Sequence, residues 1–347
     1  MADNLYVHFP FCRAKCSYCA LYSRVGVSPS KRAAYVRRLA DELGARCRTP
    51  RAALRTIYFG GGSPALCDLS PLASALRPLC GEGTEFTVEL HPLDVTEAKL
   101  SELKALGVNR ISMGVQSLDD AVLADMGRGY TVAEAERAFR LVKRHFDNAG
   151  IDLIVGYPPP RTADGSVSAD KSWDDVRGLG DWGLRHCSVY SLQNERGLKG
   201  VPDDDWTLDK LRSVARSLRE LGLERYEISN YAMPGFECRH NQAVWRGEDY
   251  VGLGDGAYGR VGLDRTFSGK VTETLSAERD LTERTIFRLR TREGLDAASY
   301  RSHPSFEDFV AALDRSVVRG LLDKSGTVYR LTERGTEVCD SILAEIV

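Results

Sequence analysis

Three cysteines near the start of the chain are spaced for joint binding of one metal centre. Cys12, Cys16 and Cys19 form a C-x3-C-x2-C pattern directly after an apolar and aromatic run, residues 5–9, that Pro10 ends. Thiolates this close in sequence on one loop can surround a single soft metal centre without long-range folding. A 4Fe–4S cluster normally takes four thiolates, so three would leave one iron open to an outside ligand. The amine and carboxylate of an amino acid could chelate that iron.

Two other interpretations of the cysteines are open at this point. Three cysteines with His8 could bind zinc, although structural zinc sites usually consist of two separated ligand pairs. The cysteines could also be unrelated core residues, since a free cysteine packs as a small hydrophobic side chain. The chain has only nine cysteines, so three within eight residues at this spacing favour a shared iron–sulfur centre.

Length and composition limit the classes of function. The 347 residues, 43% of them hydrophobic, can build about two domains with a sizeable core. A formal net charge of −2 and a pI near 6.3 argue against a nucleic-acid-binding surface. The first twenty residues lack a signal peptide's basic start, and no apolar run reaches the length of a membrane span. Since the other cysteines occur singly, we expect a cytoplasmic protein with reduced thiols.

Six short apolar strands alternate with helical patterns over the first two hundred residues. The predicted strands are residues 5–9, 56–59, 86–90, 110–115, 151–155 and 186–191. The helical patterns between them cover residues 30–48, 96–106, 119–126, 131–146 and 173–179. Alternation of this kind predicts an α/β fold, an all-parallel sheet with helices outside. Six units are too few for a closed eight-stranded barrel, so we expect a partial, open (β/α)6 barrel.

Glycines and polar side chains follow the carboxyl ends of these strands. Gly60, Gly61 and Gly62 follow the second strand, where a ligand could approach the backbone closely. The polar residues at or near the other strand ends are Glu89, Gln116, Ser117, Arg128, Asp152 and Glu195. Each of these alone could be a structural polar group with a partner. Together, on one rim of one sheet, they predict a polar ligand site that faces the cysteines.

The cysteine spacing, with Tyr18 directly before the last cysteine, resembles the radical S-adenosylmethionine (SAM) superfamily. In that superfamily three cysteines hold a 4Fe–4S cluster, the open iron binds SAM, and electron transfer cleaves SAM to a 5′-deoxyadenosyl radical. The order of segments is similar to the oxygen-independent coproporphyrinogen III oxidase-like branch. The segments that carry this resemblance are residues 6–12, 59–64, 88–92, 107–117, 152–158, 190–195 and 226–231. The resemblance therefore covers nearly the whole chain.

This resemblance implies ligand residues and a domain layout. Cys12, Cys16 and Cys19 would hold the cluster at the mouth of the partial radical-SAM barrel. The residues expected to contact the cofactors are Tyr6, Tyr18, Gly60, Gly61, Gly62, Glu89, Gln116, Arg128 and Asp152. The expected domains are the barrel at 1–200, an extension at 201–275, and a small α+β, winged-helix-like C-terminal domain at 276–347 that caps the substrate opening.

A histidine in the extension is a candidate haem ligand. Haem-chaperone members of the branch carry a His-Asn-x-x-Tyr-Trp motif associated with haem binding, and it falls here on residues 240–245. Val244 replaces the tyrosine, and Tyr258 replaces the histidine of a later Gly-Ala-His. A single histidine beside an asparagine is more commonly a hydrogen-bonding loop residue, yet the resemblance implies His240 as an axial haem ligand.

Two kinds of relative in the branch lead to different functions. Coproporphyrinogen dehydrogenases carry a longer N-terminal segment and a further cysteine two residues after the third, where this chain has Leu21. Haem chaperones are shorter and lack that cysteine. We therefore expect a haem chaperone that takes haem from an unknown donor to acceptor proteins, among them respiratory membrane proteins. A dimer is known in the family, but nothing in this sequence demands one.

The alternative is enzymatic. The chain would then be a radical-SAM enzyme acting on a porphyrin, as a coproporphyrinogen III dehydrogenase or a haem-modifying methyltransferase. A purely structural cluster is the third interpretation, and it predicts that SAM leaves the EPR signal of the cluster unchanged.

Overall fold

A twelve-stranded mixed sheet organises the structure, a computed structural model that describes residues 2–46, 53–159, 176–301 and 305–346. Six of its strands lie side by side in chain order, and every neighbouring pair is parallel. These strands are β1 Asn4–Phe9, β2 Thr56–Gly61, β3 Glu85–Leu90, β4 Arg110–Gln116, β5 Asn148–Val155 and β6 His186–Ser191. The predicted α/β class and the six parallel strands are confirmed.

The strands alternate between an apolar and a polar face. In β1, Leu5, Val7 and Phe9 belong to the main hydrophobic core. The residues between them, Tyr6 and His8, point to the other face because successive side chains of a strand alternate. The same alternation repeats along β2 to β6 and gives the barrel a polar interior. An interior of this kind can hold a polar ligand.

Helices cover the apolar face. They are α1 Pro29–Arg46, α2 Glu97–Ala105, α3 Asp120–Asp125, α4 Val132–His145 and α5 Asp204–Glu220, with a short helix Ala73–Leu76. The α4 helix begins with a capping box, in which Thr131 and Glu134 bind each other's backbone N–H groups. The helix predicted over residues 173–179 begins outside the described residues, and the described part, Val176–Trp182, is a 3-10 helix. Residues 47 and 48 of the first predicted helix also lie outside them.

Short strands extend the sheet at both edges. Beyond β6 lie β7 Asn230–Ala232 and the pair Glu224–Arg225, both antiparallel to their neighbours. Beyond β1 lies β8 Tyr250–Leu253, which is parallel to β1 and pairs Tyr6 with Gly252. Three antiparallel strands follow β8, and they are Tyr258–Val261, Asp264–Phe267 and Lys270–Thr274. The seventh parallel strand, β8, was not predicted.

The C-terminal part has a core of its own. Its helices are α7 Ala277–Leu289, α8 Phe306–Val318, α9 Glu333–Glu337 and α10 Cys339–Ile346, after α6 Arg239–Trp245 in the extension. They pack on a three-stranded antiparallel sheet of Leu295–Asp296, Leu322–Ser325 and Val328–Leu331. Leu289, Leu313 and Tyr329 are fully buried in this second core. The winged-helix likeness and the domain limits stay predictions.

The helices in the described ranges are all too short or too polar to cross a membrane.

Candidate cofactor site

The three cysteines lie on the loop that joins β1 to α1. All three are free and partly exposed. The N–H of Cys19 donates to the carbonyl oxygen of Cys16 over 3.2 Å, which folds this end of the loop into a turn. The N–H of Ser17 donates to the carbonyl of Met126, so the loop is fixed to the end of α3. The backbone thereby holds the cysteine-bearing loop against the barrel mouth.

His8 is not placed to complete a zinc site. Its Nδ1 lies 2.9 Å from the Tyr6 hydroxyl and its Nε2 lies 2.9 Å from the Tyr22 carbonyl, so both ring nitrogens have partners. Burial also lowers the pKa of His8. In the described ranges no three His, Cys, Asp or Glu side chains converge as ligands of one metal ion. The remaining donor set of three thiols fits three irons of a larger cluster better than a single zinc ion.

The glycine run at the end of β2 keeps space free between the cysteines and the barrel interior. A Cβ atom on Gly60 would lie 2.9 Å from the Glu89 carboxyl carbon. A Cβ atom on Gly62 would lie 2.9 Å from the sulfur of Cys12. Gly61 has φ +106, and its Cβ would lie 2.4 Å from the His8 ring. Only glycine fits at these positions, so the backbone itself lines the site.

Two carboxylates face each other across the interior. Glu89 accepts hydrogen bonds from the Tyr58 hydroxyl at 2.8 Å and from the Gly61 N–H at 3.0 Å. Burial, followed by the negative charge of Asp152, raises the pKa of Glu89 to about 7. Burial also raises the pKa of Asp152, against hydrogen bonds from serine hydroxyls that include Ser112 at 3.1 Å. A pair of carboxylates in this state favours a cationic ligand, which would relieve both the repulsion and the desolvation.

Arg128 connects the cysteine loop to β4. Its guanidinium lies 3.3 Å from the sulfur of Cys16 and 3.4 Å from the hydroxyl of Tyr18. The same group donates to the Gly114 carbonyl over 2.6 Å and to the Tyr130 hydroxyl over 2.9 Å. Arg128 therefore brings positive charge to a place where three thiolates would concentrate negative charge.

Gln116 ends β4 in a strained conformation. Its φ is +74, in the left-handed region that residues with a Cβ atom rarely adopt, and the pairing of β4 with β5 shifts register here. A Cβ atom on Gly114 would lie 2.5 Å from the Gln116 side-chain nitrogen, so the amide folds back over Gly114. Strain of this kind occurs mainly where a side chain serves a site.

The structure brings most of the predicted site residues together at one end of the barrel. Glu89, Gln116, Asp152 and the glycine run lie at the carboxyl ends of their strands, beside the cysteine loop. Tyr6 lies deeper, where its hydroxyl supports His8 and its ring is 6.1 Å from that of Tyr58. Ser117 is buried next to this rim. Glu195 is exposed on the loop after β6.

His240 lies at the opposite end of the barrel. Its Nδ1 is 2.8 Å from the hydroxyl of Thr56, the first residue of β2, and its N–H donates to Glu85, the first residue of β3. The His240 residue is only 5% exposed. Burial lowers its pKa to about 4, so the imidazole is neutral at pH 7. The full length of the strands separates His240 from the cysteines, while Tyr258 of the later motif is exposed.

Two sets of contacts that hold the cysteine loop in place were not predicted from the sequence. Asp94 is buried, accepts from Arg13 of the cysteine loop at 2.5 Å, and also binds the Ser63 hydroxyl. Gly254 and Gly256, which follow β8, let the loop pack closely, since a Cβ atom on Gly256 would lie 2.6 Å from the Tyr22 ring. The Gly-Leu-Gly-Asp-Gly sequence at 252–256 was the available signal, but its partner lies about 230 residues earlier.

Comparison with known proteins gives a family match over part of the chain. Residues 6–160 match the family model described as the radical SAM superfamily. Among solved structures, the coproporphyrinogen III oxidase of Escherichia coli, described as a radical SAM enzyme, has a TM-score of 0.82 at 20% sequence identity. That match covers 99% of this chain and 89% of the other. At this identity the likeness shows the fold alone.

Several curated proteins are similar along almost the whole chain. The protein named heme chaperone HemW of Escherichia coli is 30% identical over an alignment of 376 positions, gaps included, which spans 98% of this chain and 97% of that protein. The protein of the same name in Lactococcus lactis is 28% identical, with 99% and 97% covered. The mitochondrial radical S-adenosyl methionine domain-containing protein 1 of mouse is 30% identical, with 83% and 68% covered.

Proposed function

Because this chain belongs to the family of the heme chaperone HemW, within the radical SAM superfamily, we propose that it binds haem and delivers it to acceptor proteins. The observation that carries the proposal is the similarity to proteins of that name over almost the full length of both chains. Leu21, in place of the cysteine typical of coproporphyrinogen dehydrogenases, agrees with it.

The family implies a 4Fe–4S cluster and SAM as cofactors. Cys12, Cys16 and Cys19 would hold the cluster, and SAM would supply the ligand of the open iron and, when reduced, a carbon radical. The cationic sulfonium and amine of SAM suit the two carboxylates Glu89 and Asp152, whose pKa values are raised chiefly by burial. Arg128, Gln116 and the glycine backbone would complete its binding site.

The cysteine assignment is tested by replacement of single thiols. Cys16→Ser should abolish the visible absorbance and iron content of the anaerobically reconstituted protein. Cys80→Ser, which changes a partly exposed cysteine outside the loop, should leave both unchanged. Addition of SAM should change the EPR signal of the reduced cluster, and an unchanged signal would contradict binding of SAM to the open iron.

We propose His240 as the haem ligand. In this conformation the imidazole is buried, so haem has no access to it. The neutral imidazole is a suitable iron ligand, but a haem could reach it only if α6 moved away from the start of β2 and β3. The alternative role of His240 is structural, because its contacts with Thr56 and Glu85 hold α6 in place.

Haem titration of the reconstituted protein under anaerobic conditions separates the two roles. Saturation of the Soret band at one haem per chain, lost in His240→Ala but retained in Thr56→Val, would support ligation by His240. Equal loss in both variants would indicate a structural role, because each variant removes one side of the same contact. A lack of haem binding by the wild-type protein would contradict the proposed function and lead to assays of porphyrinogen turnover.

The proposed acceptors are haem proteins, with respiratory membrane proteins as the first candidates, and delivery is proposed to take place in the cytoplasm. Transfer can be measured by mixing haem-loaded protein with an apo-acceptor and following the change of the Soret spectrum. The absence of transfer above the rate of free haem release would contradict a chaperone role.

A further inference from the structure

The lower half of the barrel interior contains a cluster of buried polar atoms without partners. Thr87 Oγ1 on β3, Arg110 Nε and Nη2 on β4, Asn148 Oδ1 on β5 and His186 Nδ1 on β6 are all buried without a hydrogen bond to the described chain. These four residues belong to adjacent strands. Arg110 pairs in register with Thr87 on one side and with Asn148 on the other. Thr87, Arg110 and Asn148 therefore share one level of the interior face. His186 pairs with Gly150, which pairs with Ser112, so it lies one interior position further along the strands.

The unpartnered nitrogens of Arg110 form one edge of its guanidinium. Nε–H and the neighbouring Nη2–H point in parallel, a geometry that matches the two oxygens of a carboxylate. Arg212 of this chain uses the same edge to bind Glu337, with distances of 2.6 and 2.8 Å. Arg110 is 1% exposed, and a guanidinium buried without a counter-ion is costly.

Glu85, a carboxylate whose negative charge acts on Arg110, makes its hydrogen bonds to other groups. Glu85 accepts hydrogen bonds from the His240 N–H at 3.1 Å and from the Cys238 thiol at 3.7 Å. No ion pair within 4.0 Å joins Arg110 to any acidic group of the described residues. The charge of Arg110 is therefore not matched by direct contact within the protein.

His186 adds a further donor beside Arg110. Its Nε2 lies 2.8 Å from the Tyr226 hydroxyl, and that hydroxyl accepts from the Cys238 N–H at 3.2 Å. Tyr226 can therefore give its own proton to Nε2, which leaves the ring proton of a neutral imidazole on the unpartnered Nδ1. Thr87 Oγ1 can donate as well, so three side chains offer donors to one region.

We propose that this cluster is a carboxylate-binding site, in which the Nε/Nη2 edge of Arg110 holds both oxygens and Thr87 and His186 donate to them. Arg110 lies one interior position below Ser112 on β4, and Ser112 pairs in register with Glu89 of the cofactor site. The carboxylate has two possible sources: a small free acid, or the carboxylate end of a larger ligand that extends down the barrel. The propionate of a tetrapyrrole is a ligand of the second kind, and only that source depends on the proposed haem function.

Acetate and formate are the probes for the first source. At matched ionic strength, either salt should raise the thermal midpoint of the reconstituted wild-type protein relative to chloride, with saturation as its concentration increases. Arg110→Met should abolish this rise. Arg212→Met is the control, because Arg212 is exposed and already uses its Nε/Nη2 edge to bind Glu337. This variant should keep the rise in thermal midpoint.

Two further variants keep the test decisive if Arg110→Met does not fold. Arg110→Lys preserves the charge but lacks the bidentate edge, so the response to acetate should fall by at least tenfold in affinity. Thr87→Val is nearly isosteric and removes one donor, so it should weaken the response less than either change at Arg110.

Haem and its dimethyl ester are the probes for the second source. If a propionate occupies the site, esterification should weaken haem binding to the wild type at least tenfold, and Arg110→Lys should bind both forms equally.

Two results would support the site. A preference for haem over its ester that is lost in Arg110→Lys would identify a propionate as the ligand. An acetate response that depends on Arg110 would identify a small free acid. If acetate and formate act as chloride does, and ester discrimination is the same in wild type and variant, the cluster holds only water and the proposal fails. Absence of haem binding contradicts the haem function and leaves the acetate test intact.

Discussion

The burial of Glu89 makes the stability of the folded protein depend on pH. The Glu89 carboxyl has a pKa of about 7 in the folded protein, against an ordinary value of 4.5, chiefly because of burial. The folded state therefore binds more protons than the unfolded chain between these pH values, and the free energy of unfolding falls as the pH rises through this window. Burial also raises the pKa of Asp152 and, to about 7, that of Glu227. It lowers the pKa of His240 to about 4, so this buried histidine opposes the trend below about pH 6.5.

Glu89→Gln should remove the Glu89 part of this pH dependence. Relative to the variant, the wild type should lose stability on the order of 1–3 kcal/mol between pH 5 and pH 8. Urea denaturation at several pH values under anaerobic conditions measures the slope. Glu136→Gln on the surface of α4 should leave the slope as in the wild type. A slope that is unchanged by Glu89→Gln would show that its carboxyl does not titrate in this range.

Gln116 allows the strain of its backbone to be separated from the role of its amide. Gln116→Ala and Gln116→Gly both remove the amide, but only glycine adopts a φ of +74 without cost. The glycine variant should therefore be more stable than the alanine variant by about 1 kcal/mol, while both should bind SAM equally weakly. Thermal denaturation and a SAM titration give the two readouts. Equal stability of the two variants would show that the strain is absent in solution.

At the scale of elements, the end of β2 consists of glycines whose backbone lies very close to neighbouring side chains. Gly61→Ala should destabilise the protein by about 2–4 kcal/mol, because the new Cβ meets the His8 ring and the backbone has a positive φ. Gly44→Ala is the matched control, since Gly44 lies within α1 with no atom within 4 Å of the new Cβ. It should stabilise the protein by about 1 kcal/mol. Chemical denaturation gives the free energy of unfolding of both variants. Similar changes in the two variants would contradict this prediction.

At the scale of the whole molecule, the two separate hydrophobic cores predict that the two parts of the chain can differ in their protection from hydrogen exchange. Leu313 is fully buried in the C-terminal core, and Val318 of the same helix is 89% exposed. Leu313→Ala should weaken the C-terminal unit by about 2–5 kcal/mol, and Val318→Ala should have little effect. Hydrogen exchange by mass spectrometry should then show faster exchange in residues 305–346 and unchanged protection in β1 to β6. Uniformly faster exchange would mean that the two cores unfold together.

Patterns local in sequence predicted most of the fold and the cysteine site. Membership of the radical SAM superfamily and of the coproporphyrinogen oxidase-like branch is confirmed by the family match and the relatives. The strand β8 and the support by Asp94 could not be predicted, because each depends on contact between segments distant in sequence. The same holds for His240: its motif is local, whereas its burial depends on how the barrel closes around it.

The pairing of β1 with β8 has a consequence for the order of events during synthesis. A ribosome makes β1 long before β8, the strand that covers its outer edge and ends at Leu253. Until then, the N–H and C=O groups along that edge of β1 have no strand partner, and such an edge readily pairs with other chains. The nascent protein thus carries an open edge beside its cysteine loop until β8 has been made.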